Sequence, residues 1–97
     1  MEALLKALVE FVGTFIFLSV IAKYVKEGVK WAAFPIVLTL IGVIFWGGSI
    51  SGGHFNPAVT TMFYIDNVID ITTASQYYIA QILGAYCAVL FSKIEMK

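Results

Sequence analysis

Hydrophobic positions along the chain fall into three long runs, separated by two polar segments of different character. The first run covers about residues 3–22 and the second about 31–50, each close to the ~20 apolar residues that a helix needs to cross a bilayer. Between them Lys23, Lys26, Glu27, Gly28 and Lys30 break the hydrophobicity, as a turn at a membrane surface does. No polar, small-residue cleavage region follows the first run, so it reads as a retained span rather than a signal peptide. Pro35 stands near the start of the second run, where a missing backbone donor is tolerated. A third span is expected over about 76–93, after a polar linker from Asp66 to Ser75. Tyr24, Trp31, Tyr64, Tyr77 and Tyr78 lie near the predicted span ends and are expected to serve as interfacial anchors.

From Gly47 the pattern changes, because Gly47, Gly48, Gly52 and Gly53 crowd together and Asn56-Pro57 follows at once. Irregular backbone at membrane depth is stable only where it is buried in protein or lines a wet cavity, since lipid satisfies none of its polar groups. The apolar run from Ala58 to Ile65 is too short to span and ends at Asp66-Asn67. Residues of about 51–66 therefore read as a re-entrant loop and half-helix. The predicted fold class is an all-α membrane protein with three transmembrane helices and one re-entrant half-helix.

Polar residues inside the runs mark the faces turned toward protein. Ala7, Glu10, Thr14 and Phe17 share one stripe with Gly13 beside it, and Gln81, Ala85, Ala88 and Ser92 share another beside Gly84. A carboxylate or an amide is costly against lipid, whereas small residues let helix backbones approach.

Composition agrees with this pattern. Hydrophobic residues make up 61% and charged residues 12% of the chain, against about 25% charged in soluble domains. Mean hydropathy is +0.93. A soluble monomer of this size would expose a large apolar surface, so an integral, multi-pass membrane protein with the lipid bilayer as its surroundings is expected. Six basic residues, all lysine, balance six acidic ones, which suggests neither a nucleic-acid partner nor a polybasic lipid-binding patch. Cys87 is the only cysteine, so no intrachain disulfide and no cysteine metal cluster is expected. The only histidine, His54, has no nucleophile, base or metal-ligand set beside it, so no enzyme, no catalytic residue and no cofactor is predicted.

The string that carries chemistry is SGGHFNPAVT, Ser51 to Thr60. Asn56 is a favoured helix cap and Pro57 suits the first helical position, so a helix is expected to begin here. Its amino end would present unpaired backbone donors and about half a positive charge, attractive to an oxygen and repulsive to a cation. The Asn56 side chain adds two donors where capping does not consume them. Glycines before it allow successive carbonyls to turn toward one lumen. Acceptors along one side with donors at the end suit single-file passage of small, neutral, hydrogen-bonding molecules. A re-entrant loop that only packs is the bland alternative.

This string closely resembles the first signature of the aquaporin, or major intrinsic protein, family. Glu10, Gly13, Thr14 and Phe15 resemble the family's first-helix pattern, Thr39 stands where its second helix often has threonine, and Ile79-Ala80-Gln81 with Gly84 resembles its third helix. The resemblance implies that residues 1–97 form a single half-repeat, one of the two inverted repeats of the aquaporin fold. It implies that Asn56, Pro57 and Ala58 are the first NPA box, and that Gly52, Gly53, His54 and Phe55 form the carbonyl ladder leading to it. His54 would then act mainly through its backbone. Glu10 is implied to accept from amides of the loop, with Gln81 and Thr60 as further structural support, and no metal is involved. Ile36 corresponds to the constriction position of the second helix, where the family usually has an aromatic residue. A pore-facing row from Ile36 through Thr39 or Leu40 and Val43 to Gly47 follows from helical spacing.

The family's second box, followed by arginine, is not among these residues, and Val59 follows Ala58 here. The expected function is that of an aquaporin-like half-unit for passive passage of water or a small neutral solute such as glycerol. Its pore would be completed by an inverted copy, giving a homo-oligomer, or by a second half. The alternatives are a non-conducting accessory or interaction subunit, or a fragment of a full-length channel. Lys23, Lys26, Lys30, Lys93 and Lys97 are expected on the side opposite Lys6, a bias that favours an outside amino end.

Overall fold

The computed structural model describes residues 2–95 and contains four helices. Helix α1 spans Glu2–Lys26, α2 Ala33–Ser51, α3 Pro57–Ile65 and α4 Ile71–Glu95. Helices α1, α2 and α4 are each long and apolar enough to cross a membrane, and α3 is not. The chain is thus an integral, multi-pass membrane protein with three spans and one half-helix.

Helix ends follow capping chemistry more closely than they follow the hydrophobic borders. α1 continues past the expected end at residue 22 to Lys26, because backbone hydrogen bonding does not stop where side chains become polar. Lys23 and Lys26 occupy its last turn, where cations oppose the partial negative charge of the exposed carbonyls. α2 stops at Gly52, which adopts φ 91° and donates its N–H to the Gly48 carbonyl at 2.9 Å. α3 begins at Pro57, with the Asn56 side-chain oxygen accepting from the Ala58 N–H at 2.8 Å. The segment expected as linker through Ser75 is helical from Ile71. Asp70 is the reason: its carboxylate accepts from the Thr73 N–H at 2.8 Å and satisfies a donor of the first turn.

α1 is the central element and packs against both α2 and α4, while α3 packs on α4. Contacts between α1 and α4 advance together along both helices, Glu10 with Gln81, Thr14 with Gly84 and Lys23 with Glu95, so the two run parallel. The connection over residues 27–32 sends α2 back antiparallel to α1. Small residues set the separations. A Cβ on Gly84 would lie 2.9 Å from the Phe11 carbonyl oxygen on α1, and one on Gly13 would lie 2.2 Å from the Phe55 ring.

The distribution of polarity is inverted relative to a soluble domain. Glu10, Thr14, Thr60, Gln81 and Ser92 are buried, whereas Phe34, Val37, Leu38, Ile41 and Phe45 of α2 are exposed. Val9, Val43 and Phe55 form the apolar core, with Leu40 packed against it. Two expectations need correction here. Val43 and Gly47 do not extend a pore-facing row from Ile36. They turn inward, Val43 beside Val9 and Phe55 and Gly47 beneath Val9. Tyr77 is not an interfacial anchor, because it is 3% exposed and donates its hydroxyl to the Ser51 carbonyl. Tyr78 is half-buried and bonds the Thr61 hydroxyl. Trp31, by contrast, is 64% exposed at the start of the second span, as an anchor requires.

Candidate functional site

Glu10 organises the loop between α2 and α3. Its side chain has no exposed surface. Oε2 accepts from the Ser51 hydroxyl at 2.7 Å and the His54 N–H at 3.0 Å. Oε1 accepts from the Phe55 N–H at 2.8 Å and from Gln81 Nε2 at 2.9 Å. Four donors therefore converge on two oxygens, an arrangement suited to an acceptor-only carboxylate. Ser51 has a single proton. The Glu10 oxygen receives it, being closer and charged, in preference to the Gly47 carbonyl at 3.4 Å. The Ser51 oxygen in turn accepts from the Gly53 N–H at 3.1 Å. Three backbone amides of the loop are thus satisfied without regular secondary structure, as burial demands.

The backbone that reaches this position is left-handed at three residues. Gly52 has φ 91°, Gly53 65° and Phe55 51°. Glycine takes such values at no steric cost. Phe55 is held there by its bond to Glu10 and by its ring, which is seated over Gly13 in the core. Strain at a non-glycine left-handed residue persists only where the surroundings determine it.

A second chain of bonds fixes His54. Because a carboxylate donates nothing, Gln81 must point its amide nitrogen at Glu10. That nitrogen also donates to Thr60 Oγ1 at 2.8 Å. Thr60 Oγ1 in turn shares a hydrogen bond with His54 Nδ1, 2.9 Å away. The ring stacks on Phe63 at 5.0 Å and meets the edge of Tyr77 at 4.9 Å. His54 thus contributes a buried, bonded side chain as well as its backbone. A cavity of about 740 Å³, lined by Lys6, Ser51, Gly52, His54, Asp70 and Tyr77 among others, opens beside it.

Among the described residues, no hydrogen bond reaches the carbonyls of Gly52, Gly53, His54 or Phe55. Asn56 caps α3 through its oxygen alone, so both amide protons stay free of protein partners. Asn56, Pro57 and Ala58 are exposed at the amino end of the half-helix. Free acceptors thus precede free donors along one short stretch of chain.

Of the residues singled out from the sequence, Glu10, His54, Phe55, Thr60 and Gln81 meet in one network. Gly52 and Gly53 form its turn, and Asn56, Pro57 and Ala58 form the adjoining helix end. Ile36 lies apart: it is half-buried near the start of α2, some 22 Å of helix away from Ser51. Ser51 and Tyr77 were not anticipated. Tyr77 does stand one helical turn before Gln81 on the same face, and that spacing was its available signal.

The sequence profile described as "Major intrinsic protein" matches residues 1–97. The chain is 46% identical over 88 residues to "Glycerol uptake facilitator protein-like 6" of Lactiplantibacillus plantarum, covering 86% of this chain and 40% of that protein. It is 40% identical over 70 residues to "Aquaporin PIP2-7" of Arabidopsis thaliana, covering 72% of this chain and 24% of that one. With "Aquaporin PIP-type" of Atriplex canescens it shares 32% identity over 105 aligned positions, covering 94% and 36% respectively. The chain therefore spans two fifths or less of the length of these curated relatives. No solved structure matches it. With the profile matched from end to end over a three-span, one-half-helix fold, the chain belongs to the major intrinsic protein family of membrane channels.

Proposed function

We propose that residues 1–97 act as one half-repeat of a channel for water or a small neutral solute such as glycerol, the pore being completed by an inverted copy or by a second half. One observation carries this reading. The loop pairs its amides inward to Glu10 and Ser51, while the carbonyls of Gly52 to Phe55 and the Asn56 amide protons remain available. A passing molecule with both donor and acceptor hydrogen bonds to each in turn. A cation meets the positive end of α3 instead. The names of the relatives include both a glycerol uptake facilitator and aquaporins, so the solute is proposed as a class.

Gly52, Gly53, His54 and Phe55 are the proposed acceptor ladder, Asn56, Pro57 and Ala58 the proposed mid-membrane contact, and Ile36 the proposed narrowing. Glu10, Gln81 and Thr60 hold the loop. Osmotic shrinkage of vesicles containing the chain, alone and with a second half, measures the activity. Shrinkage several-fold faster than that of empty vesicles, reduced by Asn56→Leu, is the expected result. Shrinkage at the rate of empty vesicles in both preparations, with insertion verified, rejects the reading.

A further inference from the structure

Charge is balanced along the sequence but polarised in space. Because α1 and α4 run parallel, their carboxyl ends lie together, and the turn into α2 lies at the same end. This packing gathers Lys23, Lys26, Lys30 and Lys93 at one end of a molecule 40 Å long. Among the described residues, only Glu27 and Glu95 oppose them, two carboxylates against four ammonium groups. At the other end stand Glu2, Asp66 and Asp70 with Lys6. The three-span topology expected from hydropathy already places these lysines on one side, and the packing brings Lys93, more than sixty residues from the other three, to the same helix end.

The lysines are not equivalent. Lys23 pairs with Glu95 at 3.2 Å and with Glu27 at 3.9 Å, and Lys26 donates to the Ser92 hydroxyl at 2.8 Å. These two tie α1 to α4. Lys30 and Lys93 are exposed, and among the described residues neither has an ion pair. Trp31, adjacent to Lys30 and 64% exposed, sets this end at the depth of lipid headgroups, where its amphipathic ring is most stable. Uncompensated ammonium groups at that depth face phosphate oxygens.

We infer that the end formed by Lys23, Lys26, Lys30 and Lys93 is a docking surface for anionic phospholipid headgroups, with Lys30 and Lys93 contacting the phosphates. Lysines near an anionic surface are drawn to it within about a Debye length, and carboxylates are not. The opposite end, with its surplus of carboxylates, has no such preference. The inference rests on the membrane-spanning fold and is independent of whether the chain conducts.

Spin-labelled phosphatidylglycerol and phosphatidylcholine, each added to vesicles holding the full chain, report the fraction of lipid immobilised at the protein. Wild type is expected to prefer phosphatidylglycerol by roughly fivefold, the effect of about one uncompensated lysine at an anionic surface. That preference should fall toward unity in a Lys30→Gln, Lys93→Gln double variant and at high salt. Lys6→Gln, at the other end, should leave it unchanged. Inorganic phosphate at millimolar concentration should not displace the lipid. An unchanged preference in the double variant overturns the inference, as does an equal loss in Lys6→Gln. Displacement by inorganic phosphate overturns it too, assigning the lysines to a free anion.

Discussion

Glu10 receives hydrogen bonds from three separate stretches of chain, and its value lies in what its removal leaves behind. Each buried donor deprived of an acceptor costs about 1–3 kcal/mol. Glu10→Leu is expected to remove at least ~4 kcal/mol of stability, whereas Glu10→Gln keeps one acceptor oxygen and loses less. Thermal unfolding in detergent measures both, and equal midpoints for wild type and the leucine variant would falsify the role assigned to the network. Gly13 makes the second test at this scale. A methyl group there would overlap the Phe55 ring, so Gly13→Ala should cost about 1–3 kcal/mol by overpacking. Phe55→Leu should recover part of that loss in the double variant, and strictly additive effects would show that the two residues do not share the space. Glu10, Gln81 and Asn56 were legible in the sequence because a carboxylate or amide within an apolar run, or a cap before proline, has few other uses, whereas Thr60 was singled out by the family resemblance alone. Ser51 and Tyr77 were not. A serine after glycines and a tyrosine near a span end have ordinary alternatives, and only the hydrogen bonds that tie the end of α2 to Glu10 and Tyr77 decide between them.

Elements differ in how they are held. α3 has nine residues, too few for a helix to persist alone, and depends on the Asn56 cap and on contacts from Thr60 and Thr61 to α4. α4 begins where Asp70 caps it, five residues before the expected span. Isoleucine and two threonines there look unlike a helix start, and the cap outweighs their weak propensity. The signal was present in Asp70 and Thr73, spaced as a cap requires. Hydrogen bonds from the Thr73 N–H and hydroxyl hold the Asp70 carboxyl below the usual aspartate range. A folded-state value below the unfolded one stabilises at higher pH, and that stabilisation is lost as pH falls through the folded value. Below about pH 4 the first turn of α4 should therefore fray. Amide exchange at Thr72 to Ala74, corrected for its intrinsic pH dependence, should show this in wild type and not in Asp70→Asn, which caps without titrating. The same pH response in both would assign the fraying to another group.

For the whole molecule, three spans, a half-helix, a seam of buried polar residues and the parallel course of α1 and α4 were all readable from hydropathy and spacing, but the register between α1 and α4 is a property of packing. Polarisation of the lysines was legible from the span topology, whereas the ties of Lys23 to Glu95 and of Lys26 to Ser92 were not. Ile36 gives the prediction that belongs to the proposed pore. Isoleucine is smaller than the aromatic residue usual at that position, so Ile36→Phe should lower glycerol passage more than water passage in the vesicle assay. An equal change for both solutes would remove Ile36 from the narrowing. The network around Glu10 also has a bearing on how the protein is made. Its acceptor belongs to α1 and Gln81 to α4, which leaves the ribosome later, and among the described residues the only helix that α3 packs on is α4. During synthesis α1 and α2 enter the bilayer as a hairpin and offer Glu10 and Gly13 to the loop, while α3 has no helix to pack on until α4 arrives. A cysteine placed at Thr60, which is buried against Gln81 of α4, in a background with Cys87→Ser, should react with a water-soluble maleimide in chains stalled before residue 71 and resist it in chains extended past α4. Equal reactivity in both would mean that α3 settles without α4. The order of translation thus makes the seating of α3 wait for α4, and a chain with a damaged α4 leaves the half-helix without its packing partner.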